Sequence, residues 1–199
     1  VTGYDLSALL VGSEGTLAVF TSLTLRIVPR PTEVRTLVAG FATLTDAGEA
    51  VARIIAEGHE PRCVELLDDV CCAVMRAAEP ACLPAGAAAV LVVECDGHHP
   101  AAVDRAAERV ADACLAAKAT SVRAASAPAE REALWGVRRV MSRSLRARAR
   151  SKLSEDVVVP RPRVPRLLDR VRAIAARESL VMPPYGHAGD GNLHVNIIK

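Results

Sequence analysis

Thr36-Leu37-Val38-Ala39-Gly40-Phe41-Ala42-Thr43-Leu44, followed by Thr45-Asp46 and then by apolar Ala47, Ala50, Val51, Ile54 and Ile55 before Gly58, decides how this chain is read. The first nine residues, apolar with β-branched members, predict a strand. The spacing then changes to threes and fours, with Thr45-Asp46 as an N-cap signal and Gly58 as a stop, and predicts a helix. Working outward, the pattern predicts helices over 64–78, 100–117, 128–150 and 164–176, and strands over 88–95, 121–125 and 157–159. Upstream, Leu17, Val19, Thr21, Leu23, Leu25 and Ile27 alternate as a strand would, and Pro29-Arg30-Pro31 closes it as a linker. Downstream, Leu193 to Ile198 alternate again with no turn after them, so the chain reads as a piece of a longer protein, its opening at Val1 included. Strands interleaved with long helices point to an α+β fold, an antiparallel sheet with helices packed on one face.

Composition narrows the function classes. Of 199 residues, 51% are hydrophobic and 24% charged, which excludes a disordered or collagen-like chain. The longest apolar stretches, such as residues 85–93, fall well short of the ~18 residues a membrane span needs. The net charge of +2 gives no argument for nucleic acid. Between Arg138 and Arg177, however, twelve arginines and Lys152 face only Glu155, Asp156 and Asp169, a local charge near +10. With two Phe, two Tyr and one Trp there are almost no stacking platforms, so nucleic-acid binding is set aside. Cys63, Cys71, Cys72, Cys82, Cys95 and Cys114 form no C-x-x-C pair and read as reduced, apolar thiols of an intracellular, cytoplasmic protein.

Three strings carry chemistry. Gly12-Ser13-Glu14-Gly15-Thr16 is a glycine-flanked turn whose amides can approach an anion; read alone, it is more readily a tight connection. Gly186-His187-Ala188-Gly189-Asp190-Gly191-Asn192-Leu193-His194 places two imidazoles seven residues apart across a glycine loop, so that His187 and His194 can converge on one metal or one substrate. Two ligands are fewer than the roughly three a catalytic metal takes from protein. Arg138 and Ser142, four apart on a helix, can grip a carboxylate, although the run of arginines that follows reads more readily as a solvated face. Lys152-Leu153-Ser154-Glu155-Asp156-Val157-Val158-Val159-Pro160 is an acidic pair entering a strand, and His59, His98 and His99 are given no role.

Taken together, Gly3-Tyr4-Asp5-Leu6 with Leu10 to Leu17, and the glycine–histidine string at the other end, resemble the FAD-linked oxidases of the vanillyl-alcohol oxidase type, the group of the glycolate oxidase flavin subunit, D-lactate dehydrogenase and D-2-hydroxyglutarate dehydrogenase. Trp135-x-x-Arg138 and Glu155 to Pro160 agree more loosely, so the resemblance covers the whole chain. It implies a ferredoxin-like C-terminal domain over 32–199 preceded, over 1–31, by the end of a flavin-binding domain. It further implies oxidation of a D-2-hydroxy acid by hydride transfer to FAD, with residues 12–16 against the cofactor and Arg138 and Ser142 on the substrate carboxylate. His187 and His194 would hold a divalent metal such as zinc, with Asn192 in the same pocket. Ser154 stands where some members carry a substrate-binding lysine, with Lys152 two residues away, which favours a small hydroxy acid. The chain by itself is expected to be inactive, and an electron acceptor, a partner subunit or a homodimer and attachment at the inner face of a membrane complete the expectation. A docking module that uses the basic helix, and a metal-dependent hydrolase, are the other readings.

Overall fold

The computed structural model describes residues 3–81, 83–125 and 127–199, with the side chain of Val137 left aside. Val1 and Cys82, which enter the readings above, lie outside the described residues. Two compact units divide the chain at Arg30/Pro31.

In the larger unit, β1 (Glu33–Phe41) pairs antiparallel with β3 (Ala89–Gly97), Glu33 opposite Gly97 and Phe41 opposite Ala89. On its other side β1 pairs with β4 (Ala119–Ala125), and β3 pairs with β2 (Cys63–Leu67). Three more strands extend the sheet past β2: β6 (Pro184–His187), β7 (Asn192–Ile198) and β5 (Lys152–Val158), all antiparallel, in the order β4-β1-β3-β2-β6-β7-β5. The first four strands with their connecting helices α2 (Leu44–Ala56) and α4 (Pro100–Ala116) have the ferredoxin-like order, and the antiparallel α+β class is as expected.

Strand alternation sorts the core into two layers. Leu37, Ala39, Phe41, Leu91 and Val93 point to one face, where they pack on α2, α4 and α6 (Val164–Glu178) through Ile54, Val110 and Leu168. Val38, Val90, Val92, Leu67 and Tyr185 point to the other and meet α3 (Asp69–Ala78) and α5 (Pro128–Arg146) through Met75, Leu134, Met141 and Leu145. One face is thus layered with helices as expected. On the other, α3 and α5 share the sheet with the polar side chains of β2, β6 and β7.

Five expectations need correction. The first third of the helix expected over 64–78 is strand β2: a short apolar run fits either period, and pairing with β3 on one side and β6 on the other decides it. The true helix start is Asp68, whose carboxylate accepts the Cys71 amide at 2.9 Å. The strand expected over 17–27 is absent; in the smaller unit the regular element among the described residues is the five-residue α1 (Leu6–Leu10). Alternation alone cannot make a strand without a neighbour to bond, and Val19, Leu23, Leu25 and Ile27 are exposed. The helix expected to reach Arg150 ends at Arg146, and the strand expected over 157–159 begins at Lys152, because β7 offers it a full seven-residue ladder. Thr43, not Thr45, caps α2, accepting the Asp46 amide.

Cys71, Cys72, Cys95 and Cys114 are buried, in keeping with the reading of thiols as small apolar groups. Desolvation pushes Cys114 up to about 12 and Cys95 to about 11. No described helix is long and apolar enough to cross a membrane.

Burial also pushes the capping carboxyl of Asp68 from 3.8 up to about 7, opposed by its hydrogen bonds with Cys71. The unfolded chain ionises this group first, so its contribution weakens the fold as pH climbs from about 4 to about 7. Asp68→Asn keeps a cap acceptor and is expected to flatten that slope, leaving the variant more stable than the parent at pH 8 in urea titrations; a greater loss at pH 8 than at pH 5 would contradict it.

Candidate functional site

The glycine–histidine string folds as a hairpin. β6 ends at His187, the loop turns through Ala188, Gly189 and Asp190, and β7 begins at Asn192. Asp190 accepts the Asn192 amide at 3.0 Å, and the Gly189 amide donates to Val64 O at 3.2 Å, tying the loop to β2. Gly191 has φ +83, and a Cβ there would run into the Val159 carbonyl, whose own amide donates to Gly191 O. Gly186, at φ +139, lets the His194 ring lie 3.0 Å from where its Cβ would be. Gly191→Ala is therefore expected to cost about 2 kcal/mol or more, read as a lower urea midpoint.

This hairpin places Tyr185 and His187 of β6 opposite His194 and Asn192 of β7. The His187 and His194 rings meet edge to face with centroids 5.3 Å apart, and Tyr185 lies 5.2 Å from His194. Each imidazole hangs from a carboxylate through Nδ1: His187 from Glu65 of β2, and His194 from Asp156 of β5. Nδ1 bonded in this way leaves Nε2 of each ring as the working nitrogen. The Asn192 side-chain oxygen is buried and has no hydrogen-bond partner among the described residues.

From above, α5 contributes Arg138. Its Nε donates to Glu65 Oε2 at 2.7 Å, its Nη2 lies 2.5 Å from the same oxygen, and the guanidinium sits 4.8 Å from the centre of the Tyr185 ring. That geometry leaves the Nη1 edge of the fork for a second anion. Ser142, one turn on, accepts from Lys152 Nζ at 3.0 Å and hydrogen-bonds the Tyr185 phenol, which burial pushes up. Burial and the neighbouring Arg146 pull the Lys152 ammonium down. Trp135 donates its indole N–H to Glu94 of β3 at 2.8 Å, which Thr36 also reaches.

Sequence reasoning named His187, His194, Asn192, Arg138 and Ser142, and the fold gathers all five on one side of the sheet. It missed Glu65, because residues 63–67 were read as helix; with a strand, a lone carboxylate in an apolar run pairs by register with His187. It also missed Tyr185. Asp156, noted as part of an acidic pair, is the partner of His194.

His187 opens on a cleft of about 480 Å³ that is also lined by His59, Arg62, Cys63, Arg161 and Asp190. Among the described residues no group of three or more His, Cys, Asp or Glu side chains could hold a metal ion. The expected zinc is therefore not supported: two imidazoles whose inner nitrogens bind carboxylates fall short of the roughly three ligands a catalytic metal needs.

In the smaller unit, residues 12–16 form the expected turn, Ser13 N donating to Leu10 O and Thr16 Oγ1 to Ser13 O at 2.6 Å. Open space lies where Cβ atoms on Gly12 and Gly15 would stand. The Ser13 hydroxyl is buried and has no partner among the described residues, which fits contact with a polar group of a bound molecule.

Residues 30–199 match the family described as FAD linked oxidases, C-terminal domain. The chain belongs to this family. Among curated FAD-linked oxidase relatives, it is 36% identical over 194 residues to the glycolate oxidase subunit GlcD of Bacillus subtilis, covering 98% of this chain and 41% of the relative. It is 37% identical over 199 residues to GlcD of Escherichia coli K12, 98% and 39% covered, and 28% identical to a D-lactate dehydrogenase of Anaerostipes hadrus, 98% and 42% covered. The chain thus spans about two fifths of these relatives. The fold superimposes on an alkyldihydroxyacetonephosphate synthase with a TM-score of 0.71 at 16% identity, covering 98% of this chain and 42% of that one. On a substrate-bound p-cresol methylhydroxylase the TM-score is 0.57 at 14% identity, covering 85% and 39%. The resemblance to the FAD-linked oxidases is borne out, and FAD is the cofactor of the family.

Proposed function

We propose that this chain is the substrate-handling part of a flavin-dependent oxidoreductase that converts a small D-2-hydroxy acid, of the size of glycolate or D-lactate, to the 2-oxo acid. The observation that carries the reading is the clustering of a carboxylate-binding arginine with two imidazoles, each anchored at Nδ1 by its own acid. The names of the relatives, glycolate oxidase subunit and D-lactate dehydrogenase, support the substrate class.

In this mechanism Arg138 takes the substrate carboxylate on its Nη1 edge, with Ser142 beside it. The hydroxyl on C2, the carbon bonded to that carboxylate, then faces the imidazole pair. His187 accepts the hydroxyl proton at Nε2, while His194 and the unpartnered Asn192 oxygen hold and orient the substrate around it. Bound FAD supplies the acceptor for the hydride that leaves C2. The products balance as a 2-oxo acid, a reduced flavin and one proton on His187. Residues 12–16, with the buried Ser13 hydroxyl, would lie against the cofactor, and residues 1–31 would close its binding domain.

A docking module has no use for two carboxylate-anchored histidines, and a hydrolase has none for a flavin. The apolar, reduced thiols support a cytoplasmic setting. The test is anaerobic mixing of the flavin-loaded protein with glycolate, D-lactate and larger D-2-hydroxy acids. Bleaching of the flavin band by a small D-hydroxy acid is expected, and a flavin that stays oxidised with all of them would refute the proposal.

A further inference from the structure

Glu65 stands at the centre of the site yet touches no reacting atom in the mechanism above. Its carboxylate is buried, 4% exposed, and its two oxygens serve different partners. Oε2 accepts from Nε of Arg138, with Nη2 against it, and Oε1 meets Nδ1 of His187. Three separate elements converge on this side chain: β2 carries it, α5 brings the arginine and β6 brings the histidine. The β2–β6 register sets Glu65 directly opposite His187, so the contact is built into the sheet.

We infer that Glu65 is the positioning residue of this site, holding Arg138 and His187 side by side and fixing His187 with its proton on Nδ1. The inference rests on the functional reading just given and adds to it the group that couples substrate grip to proton removal. The argument is one of donors and acceptors. Arg138 can only donate, so Oε2 must accept. An oxygen facing His187 Nδ1 also accepts, which places the ring proton on Nδ1 and a lone pair on Nε2, the form a proton acceptor needs. Carboxylate geometry thereby sets both the direction of the guanidinium fork and the tautomer of the base. The Tyr185 ring under Arg138 keeps the fork from swinging toward the sheet.

An amide cannot replace this carboxylate. Glu65→Gln is nearly isosteric but offers one acceptor and one donor, so its NH2 must face one of two partners that both donate. Turned to Arg138, it weakens the grip on substrate, and KM rises. Turned to His187, it forces the ring proton to Nε2, and the limiting rate of flavin reduction falls.

The experiment uses the flavin-loaded protein labelled with 15N-histidine, as parent, Glu65→Gln and Glu65→Asp. Long-range 1H–15N spectra are expected to show His187 as the Nδ1–H tautomer in the parent, and in Glu65→Gln either the Nε2–H tautomer, with the amide NH2 on the ring, or the parental tautomer with a raised KM, with the NH2 on Arg138. Anaerobic reduction is expected to fall roughly 100-fold or more in kcat/KM, the split between KM and limiting rate showing which way the amide turned. Glu65→Asp, which keeps two acceptors, is expected to regain the parental tautomer and at least about tenfold of the lost rate. An unchanged His187 spectrum together with an unchanged KM in Glu65→Gln would overturn the inference, as would a Glu65→Asp variant no better than Glu65→Gln. If no hydroxy acid reduces the parent, the functional reading fails while the spectra still judge Glu65.

Discussion

His187→Ala is expected to slow reduction of the bound flavin by a 2-hydroxy acid about 10²- to 10⁴-fold, with KM nearly unchanged. The split follows from where the ring sits. Glu65 keeps its bonds to Arg138 when the imidazole is removed, so the carboxylate-binding edge stays in place and only proton removal suffers. Half of the His187 side chain is solvent-exposed, so truncation leaves no buried cavity and the fold is expected to keep its urea midpoint. His98→Ala, at the exposed entry to α4, serves as the control and is expected to leave the rate unaltered. Measured by stopped flow under anaerobic conditions, a limiting rate within twofold of the parent would remove His187 from the role of base.

Much of this site was legible in the sequence because its key groups lie in short, contiguous strings. Gly186 to His194 is a single hairpin, so local spacing alone brought His187, Asn192 and His194 together. Arg138 and Ser142 are one helical turn apart, and periodicity sufficed for them as well. What could not be read was everything that depends on pairing between distant segments. Glu65 meets His187 only because β2 accepts β6 as a neighbour, a contact across 122 residues. Asp156 meets His194 only because β5 lies beside β7. The same cause explains the misread elements: residues 63–67 fit either period until a ladder chose one, and residues 17–27 alternate but find no ladder among the described residues. The glycines between His187 and His194 read only as a loop that folds back, whereas Gly189 and Gly191 are required by close packing on Val64 and Val159.

Arg138→Met is expected to act on stability and on substrate binding at once, and the two effects can be separated. Removing the guanidinium strands the Glu65 carboxylate, whose side chain is only 5% exposed, with His187 as its remaining partner. A buried ion pair broken from one side costs about 3 kcal/mol or more, so the variant is expected to unfold at markedly lower urea. KM for the hydroxy acid is expected to rise about 100-fold or more, because a charge-assisted, two-pronged contact to the substrate carboxylate is lost. Adding Glu65→Gln to Arg138→Met removes the stranded charge and is expected to recover most of the stability, since a neutral amide is far cheaper to bury than a carboxylate. It is not expected to recover KM, because the guanidinium that takes the substrate carboxylate is still missing. Arg138→Lys should fall between, keeping the charge near Glu65 but presenting a point donor in place of a fork. If the double variant regained substrate affinity along with stability, Arg138 would be a strut for Glu65 and not the group that holds the substrate.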